Sequence, residues 1–241
     1  MSLYLLMSMV LGVEGMFLMS KKLLMNNYVS NGLMPVMDGL ICWLDARDYD
    51  GTNVLRDRSG NGNDFIINGA ITLENDFLKM ISNKQNYLYN DQLPLDWNST
   101  TVQMRVANVV ATDCYVFSSG GWNGFNLRYG QIGKTMLLNK YAGIWYIRTG
   151  NWDLSTSDVT ITTYLNAENL FLRGDGINDI ISTTDKFESS ISSNISIGTT
   201  SGERGRYLVN MLFGSILIYN RILTEEEMQR NEKYLKSIGR G

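Results

Sequence analysis

The sequence predicts an all-β fold, an antiparallel two-sheet sandwich followed by a single C-terminal helix, and three observations carry that prediction. Short apolar or alternating runs recur along the chain, separated by Gly, Asn, Asp and Ser, and they are too short for ordinary helices. Between Gly39 and Asn68 an apolar run, Leu40 to Leu44, is joined to a second one, Phe65 to Ile67, through the turn-rich stretch Asp57-Arg58-Ser59-Gly60-Asn61-Gly62-Asn63-Asp64. Only Glu225 to Ile238 combines helical spacing with start and stop residues.

Taken in order, Leu3 to Met19 is apolar but contains Glu14 and two glycines, Gly12 and Gly15. A membrane span needs about 20 apolar residues and tolerates a central charge badly, so no membrane span is expected. Two readings stand open: an upstream extension of a frame starting at Met19, or an N-terminal apolar arm that packs on its own domain or on a neighbouring subunit. The arm and its connector, 1–38, would precede one large domain, 39–241. In the first strand, Trp43 and Ile41 are expected in the core of the sandwich. Further strands are expected at Ala70 to Leu73, Phe77 to Ile81, Val102 to Val106, Tyr115 to Ser118, Phe125 to Tyr129, Met136 to Leu138 and Gly143 to Ile147. Val159 to Tyr164, Leu170 to Arg173, Ile177 to Ile181, Ile195 to Gly198 and Leu212 to Tyr219 complete the series. Phe125, Leu127 and Tyr129 alternate with Asn126 and Arg128, which predicts a half-buried strand. At the helix, Thr224 and Glu227 form a capping box, the first turn is acidic, and Met228, Leu235 and Ile238 lie on the side that would face the sandwich.

Composition narrows the chemistry. The 21 Lys and Arg against 24 Asp and Glu leave a net charge of −3 with no basic face, which argues against nucleic acid as a partner. The chain has no histidine. That excludes Ser-His-Asp and Cys-His catalysis and histidine-ligated zinc. Cys42 and Cys114 both fall in expected strands, where a lone Cys behaves as a small hydrophobe, and a disulfide between them stays open.

The run Trp43-Leu44-Asp45, followed by Asp57 to Asp64 and the strand from Phe65, resembles the opening of a laminin-G-like jelly-roll domain of the concanavalin A-like lectin/glucanase superfamily. Gly214 to Met228 is similar to the closing strand and helix of the same family. The resemblance implies a concanavalin A-like jelly roll and leaves the ligand open, because the fold hosts enzymes, lectins and structural modules. A laminarinase-type glycosidase on it would carry Glu-x-Asp-x-Glu or Glu-x-Asp-x-x-Glu on one strand. This chain has neither, so no catalytic residue is assigned and a non-enzymatic module is expected.

Two candidate sites follow. Related domains bind calcium at the sandwich rim, and Asp57, Asn61, Asn63 and Asp64 offer oxygen ligands for it, although the same residues serve equally to shape the turn. For glycans, Trp122 with Asn123 and Trp152 with Asp153 place an aromatic ring beside planar hydrogen-bonding groups, and Asp96-Trp97-Asn98 is a third such set. Against each stands the alternative of a partly buried tryptophan capping the sandwich. Together, the arm and the Asn/Thr/Ser-rich strands resemble jelly-roll proteins of bacteriophage particles. That resemblance implies a virion protein, a capsid decoration or a tail or baseplate component. Its partners would be other virion subunits, or further copies of itself, and host-surface glycans. The alternative is a bacterial cell-surface or secreted carbohydrate-binding domain.

Overall fold

The computed structural model describes residues 34–110, 114–120, 124–130, 135–141, 144–149, 154–155, 158–166, 169–175, 177–182 and 191–238. Two compact units divide the chain, Met1–Pro35 and Val36–Gly241. The apolar arm lies outside the described residues.

Eight strands form the first sheet: β1 (Leu40–Asp45), β4 (Thr72–Glu74), β5 (Phe77–Met80), β8 (Thr101–Val110), β13 (Asp158–Leu165), β14 (Asn169–Gly174), β15 (Ile177–Ser182) and β18 (Asn210–Tyr219). They run in the order β15-β14-β13-β8-β18-β5-β4, and β1 pairs with the distal half of β18. The second sheet has the order β12-β11-β10-β9-β17-β6-β3-β2. Its strands are β2 (Val54–Leu55), β3 (Phe65–Asn68), β6 (Tyr87–Asn90), β9 (Cys114–Ser119), β10 (Phe125–Tyr129), β11 (Thr135–Tyr141), β12 (Ile144–Thr149) and β17 (Ile195–Ile197). A small ribbon pairs β7 (Leu95–Asp96) with β16 (Ile191–Ser192). Every described pairing is antiparallel, and β18 and β17 each insert between strands far from them in sequence. This is a jelly-roll-like β-sandwich with one C-terminal helix.

Alternation decides which side chains meet between the sheets. The first sheet contributes Leu44, Val102, Met104, Ile161, Ile216 and Ile218, and the second contributes Phe65, Ile67, Leu88, Phe117, Phe125 and Leu127. Cys42 and Cys114 are both buried, and no disulfide joins them. Burial pushes the Cys42 thiol well above its ordinary value, with Asp57 and Asp64 adding to the shift.

The helix α1 (Glu225–Ser237) starts at Thr224, whose hydroxyl accepts the Glu227 N–H while the Glu227 carboxylate accepts the Thr224 N–H. It lies on the outer face of the first sheet. Met228, Leu235 and Ile238 are buried as the spacing predicts, but so are Asn231 and Glu232. Asn231 Nδ2 donates to Gln103 Oε1 at 2.6 Å and to Tyr219 Oη at 2.9 Å, while its Oδ1 accepts the Val36 N–H at 2.7 Å. Gln103 Nε2 in turn donates to Thr162 Oγ1 at 2.8 Å and to the Met228 carbonyl at 3.1 Å. Arg173 pairs with Glu225 at 2.7 Å and with Glu232 at 3.0 Å.

Three expectations need correction. Trp43 is buried, at 3% exposure, but not between the sheets: Cys42 and Leu44 take the core side, and Trp43 turns outward under α1. Its ring meets Tyr234 edge-on at 5.6 Å, and the Arg58 guanidinium lies 5.3 Å from its centroid. Ile41, at a bulge between Leu40 and Cys42, packs against the core but is only half-buried. The strand Phe125–Tyr129 is buried on both faces rather than one. Its polar side is covered: Asn126 accepts a hydrogen bond from Ser118 at 2.6 Å, and Arg128 lies 5.4 and 5.8 Å from the rings of Tyr115 and Tyr207. The covering segment is 198–209, which crosses the second sheet on the outside. Strands β2, β6, β7 and β16 were not foreseen, and the strand expected at Ala70 to Leu73 runs Thr72–Glu74 with all three side chains exposed.

Candidate functional site

The turn between β2 and β3 brings Asp57, Asn61, Asn63 and Asp64 together, and their oxygens and amides are tied into the loop. Asp57 Oδ1 accepts the N–H groups of Trp43 and Ser59, each at 2.9 Å. Its Oδ2 accepts the Ser59 hydroxyl at 2.7 Å and the Asn63 N–H at 3.0 Å. Asn61 Nδ2 donates to the Leu40 carbonyl at 3.0 Å, and Asn63 Nδ2 to the Ile41 carbonyl at 2.7 Å. Asp64 Oδ1 accepts the Asp57 N–H at 2.8 Å, and its Oδ2 pairs with Arg56 at 2.6 Å. A cation here would compete with four donors for the Asp57 carboxylate. Among the described residues no three His, Cys, Asp or Glu side chains gather as a metal site.

Trp122, Asn123, Trp152 and Asp153 lie outside the described residues. Trp97 is a core residue, stacked on Phe125 with centroids 4.5 Å apart and planes at 7°.

A different surface meets the same requirement of an aromatic platform beside planar polar groups. In β6, Leu88 points into the core, so Tyr87 and Tyr89 point outward, where their rings lie 6.0 Å apart at 48°. Ile66, directly opposite Tyr89 on β3, is 42% exposed and extends the platform. Beyond β6 the Asn90 side-chain oxygen accepts the N–H groups of Gln92 at 2.7 Å and Leu93 at 2.9 Å. This turn holds Asp91 at the rim of the face.

Arg204 reaches the platform from the segment that crosses the sheet. That segment is fixed at both ends. Gly198 has φ +88°, a conformation that strains any other residue, and a Cβ there would also push against Met80 Sδ at 2.9 Å. Thr199 Oγ1 donates to the Arg206 carbonyl at 2.8 Å and accepts the Gly205 N–H at 3.1 Å, while the Ser201 N–H bonds Ser118 Oγ at 2.9 Å. Tyr207 takes φ +52°, a conformation that costs a bulky residue energy, and packs edge-on against Tyr115 at 5.7 Å.

The result is a guanidinium lying over Tyr89, 4.2 Å from the ring centroid. Both of its terminal nitrogens bind the Asp91 carboxylate, Nη1 at 3.0 Å. Nη2 also donates to Asn194 Oδ1 at 2.5 Å, and Nε to Ser196 Oγ at 3.3 Å. Burial raises the Tyr87 phenol, with Arg204 opposing, so at neutral pH its hydroxyl keeps its proton and can donate. Sequence reasoning missed these residues because the search for aromatic platforms went to tryptophans. The signal was the alternation Tyr87-Leu88-Tyr89-Asn90, confined to four residues.

Neither a family model nor a curated protein sequence matches the chain. Solved structures do match. The ligand-binding domain of botulinum neurotoxin serotype D, in complex with N-acetylneuraminic acid, is 13% identical with a TM-score of 0.67, covering 84% of this chain and 52% of that one. Trypanosoma rangeli sialidase in complex with sialic acid is 16% identical with a TM-score of 0.60, covering 83% of this chain and 33% of that one. Domain 4 of AbnA, a GH43 extracellular arabinanase from Geobacillus stearothermophilus, in complex with arabinotriose, is 15% identical with a TM-score of 0.60, over 80% of this chain and 98% of that domain. At such identities the likeness shows the fold: the chain is a β-sandwich of the jelly-roll type. It spans about half the length of the neurotoxin domains it matches.

Proposed function

We propose that the chain is a non-enzymatic glycan-binding module, displayed outside the cell, and that it binds through the open face of the second sheet. The observation that carries this reading is the juxtaposition of Tyr87, Tyr89 and Ile66 with Arg204, Asp91 and Asn194. Sugar rings offer an apolar C–H face, which aromatic rings match, and an equatorial fringe of hydroxyls, which carboxylate, amide and guanidinium groups match. The sugar complexes of the similar sandwiches support the class of ligand. Binding rather than turnover is favoured because most glycoside hydrolysis takes two carboxyl groups flanking the bond. Here the carboxylate beside the aromatic pair is held by both ends of Arg204. The Asp57 turn is assigned to fixing β1 against β3, with calcium as its alternative.

A glycan array tests the reading. The full chain should retain a defined set of oligosaccharides, and Tyr87→Ala with Tyr89→Ala should weaken retention by roughly tenfold or more, as loss of a stacking partner does. Retention unchanged in the double variant would move the site elsewhere, and retention of no glycan would end the proposal.

The same module on a virion is a second reading, favoured by Leu3 to Met19, whose thirteen large apolar side chains in seventeen residues need a partner surface. Deleting Met1 to Ser20 should then leave a folded domain that no longer joins particles. A deletion that still joins them would exclude the arm as the anchor.

A further inference from the structure

The charge arrangement around Arg204 bears on which sugars this face can take. An acidic sugar is bound most strongly by the open fork of a guanidinium, two parallel N–H groups aimed at two carboxylate or sulfate oxygens. In Arg204 that fork is filled, because Nη1 and Nη2 both bind Asp91. Of the five N–H donors of the guanidinium, Ser196 takes one, Asn194 one and Asp91 two, which leaves a single Nη1 N–H. One donor suits a hydroxyl or ring oxygen and does not replace a fork.

The neighbouring charges also cancel. Arg206 pairs with Glu203 as Arg204 pairs with Asp91. Arg128 is buried beneath the rings of Tyr115 and Tyr207 and does not reach the surface. Among the described residues, what remains at the rim is acceptor capacity. The Asp91 side chain is 46% exposed against 24% for Arg204, and each of its oxygens accepts one bond from Arg204, within a carboxylate's capacity for about four.

We infer that this face selects uncharged sugars, with Asp91 accepting two neighbouring hydroxyls while Tyr87 and Ile66 take the C–H face of the ring, and that it rejects acidic glycans. The inference rests on the glycan-binding reading above, and it separates this chain from the sandwiches solved with sialic acid. An acidic ligand would have to displace Asp91 and leave that carboxylate unpaired beside a like charge.

The test compares neutral hexose and pentose oligosaccharides with sialylated and sulfated ones on a single array, using the full chain at about 50 and about 500 mM NaCl, where surface charge interactions are respectively strong and screened. Neutral glycans should be retained with less than about a twofold change between the two salt concentrations. Asp91→Asn, whose fold is checked by thermal melting, should lose neutral binding by roughly tenfold and gain salt-sensitive binding of sialylated or sulfated glycans through the freed fork. Salt-sensitive retention of acidic glycans by the unaltered chain, abolished in Arg204→Gln, would overturn the inference while leaving the glycan-binding reading intact. Neutral binding that is unchanged in Asp91→Asn would overturn it as well. Retention of no glycan by any form would remove both.

Discussion

The outer faces of the two sheets are both polar, but they are finished differently. On the first, α1 lies over Trp43, Gln103, Thr162 and Tyr219, and the polar atoms it buries are bonded to one another: Asn231 alone holds three partners on three segments. On the second, the segment 198–209 covers β9 and β10 and reaches β6 only with the Arg204 guanidinium over Tyr89, so Tyr87 and Tyr89 stay half-exposed. A covered polar face contributes to stability through its hydrogen bonds. An uncovered one with aromatic rings costs solvation and contributes little to the fold, which makes it available for binding.

Several substitutions would break or sharpen this contrast. Trp43→Ala should have the largest effect, about 3 to 5 kcal/mol, since it empties the space beneath α1; an unchanged denaturation midpoint would show that the helix does not depend on that contact. Asn231→Ala should cost about 2 to 4 kcal/mol, because the Val36 N–H and Gln103 Oε1 are left buried without partners, and glycan retention should not change. If retention fell with stability, the two faces would be coupled.

Acid should loosen the helix start by a smaller amount. Hydrogen bonding from Arg221 holds the Glu227 carboxyl down to about 2, against an ordinary value of 4.5. A carboxyl lowered on folding adds stability that is complete above its unfolded value and is lost as pH falls through its folded one. Glu232 runs the opposite way, since burial raises it, and its contribution is present at low pH and lost as pH rises through its folded value. Melting temperature followed down the window from 4.5 to about 2 should therefore fall less in Glu227→Gln than in the unaltered chain. The difference should be on the order of 1 kcal/mol, because the ion pair is solvent-screened; parallel curves would remove the assignment. Tyr87→Ala should give the smallest stability change, within about 0.5 kcal/mol, as surface substitutions do. A cost near that of Trp43→Ala would mean that the second face is as structural as the first.

Much of the fold was legible because it is written in local patterns. The capping box at Thr224 and Glu227 needs only a four-residue window, and the strands over Phe77, Phe125, Val159 and Leu212 show in their own apolar runs. Asp57 to Asp64 announced a fixed turn. What stayed hidden was set by distant chain. Phe125–Tyr129 has the alternation of a half-buried strand, and nothing near Arg128 in sequence reveals that Tyr207 will cover it. The candidate site is hidden for the same reason: Asp91 and Arg204 stand 113 residues apart, and the short run of β6 gains its meaning only once the crossing segment delivers a guanidinium to it.

The position of β18 sets the timing of folding during synthesis. This strand lies between β8 and β5 and also pairs with β1, so Leu40 meets Tyr219. Until residues 210–219 leave the ribosome, the four strands β8, β13, β14 and β15 and the hairpin of β4 and β5 are separate pieces with bare edges, prone to pairing with other chains. The chain must be emitted as far as Tyr219 before the first sheet becomes continuous. Pairings this distant close slowly, so nascent chains should dwell in an aggregation-prone state, and a truncation before Asn210 should yield insoluble material rather than a smaller domain.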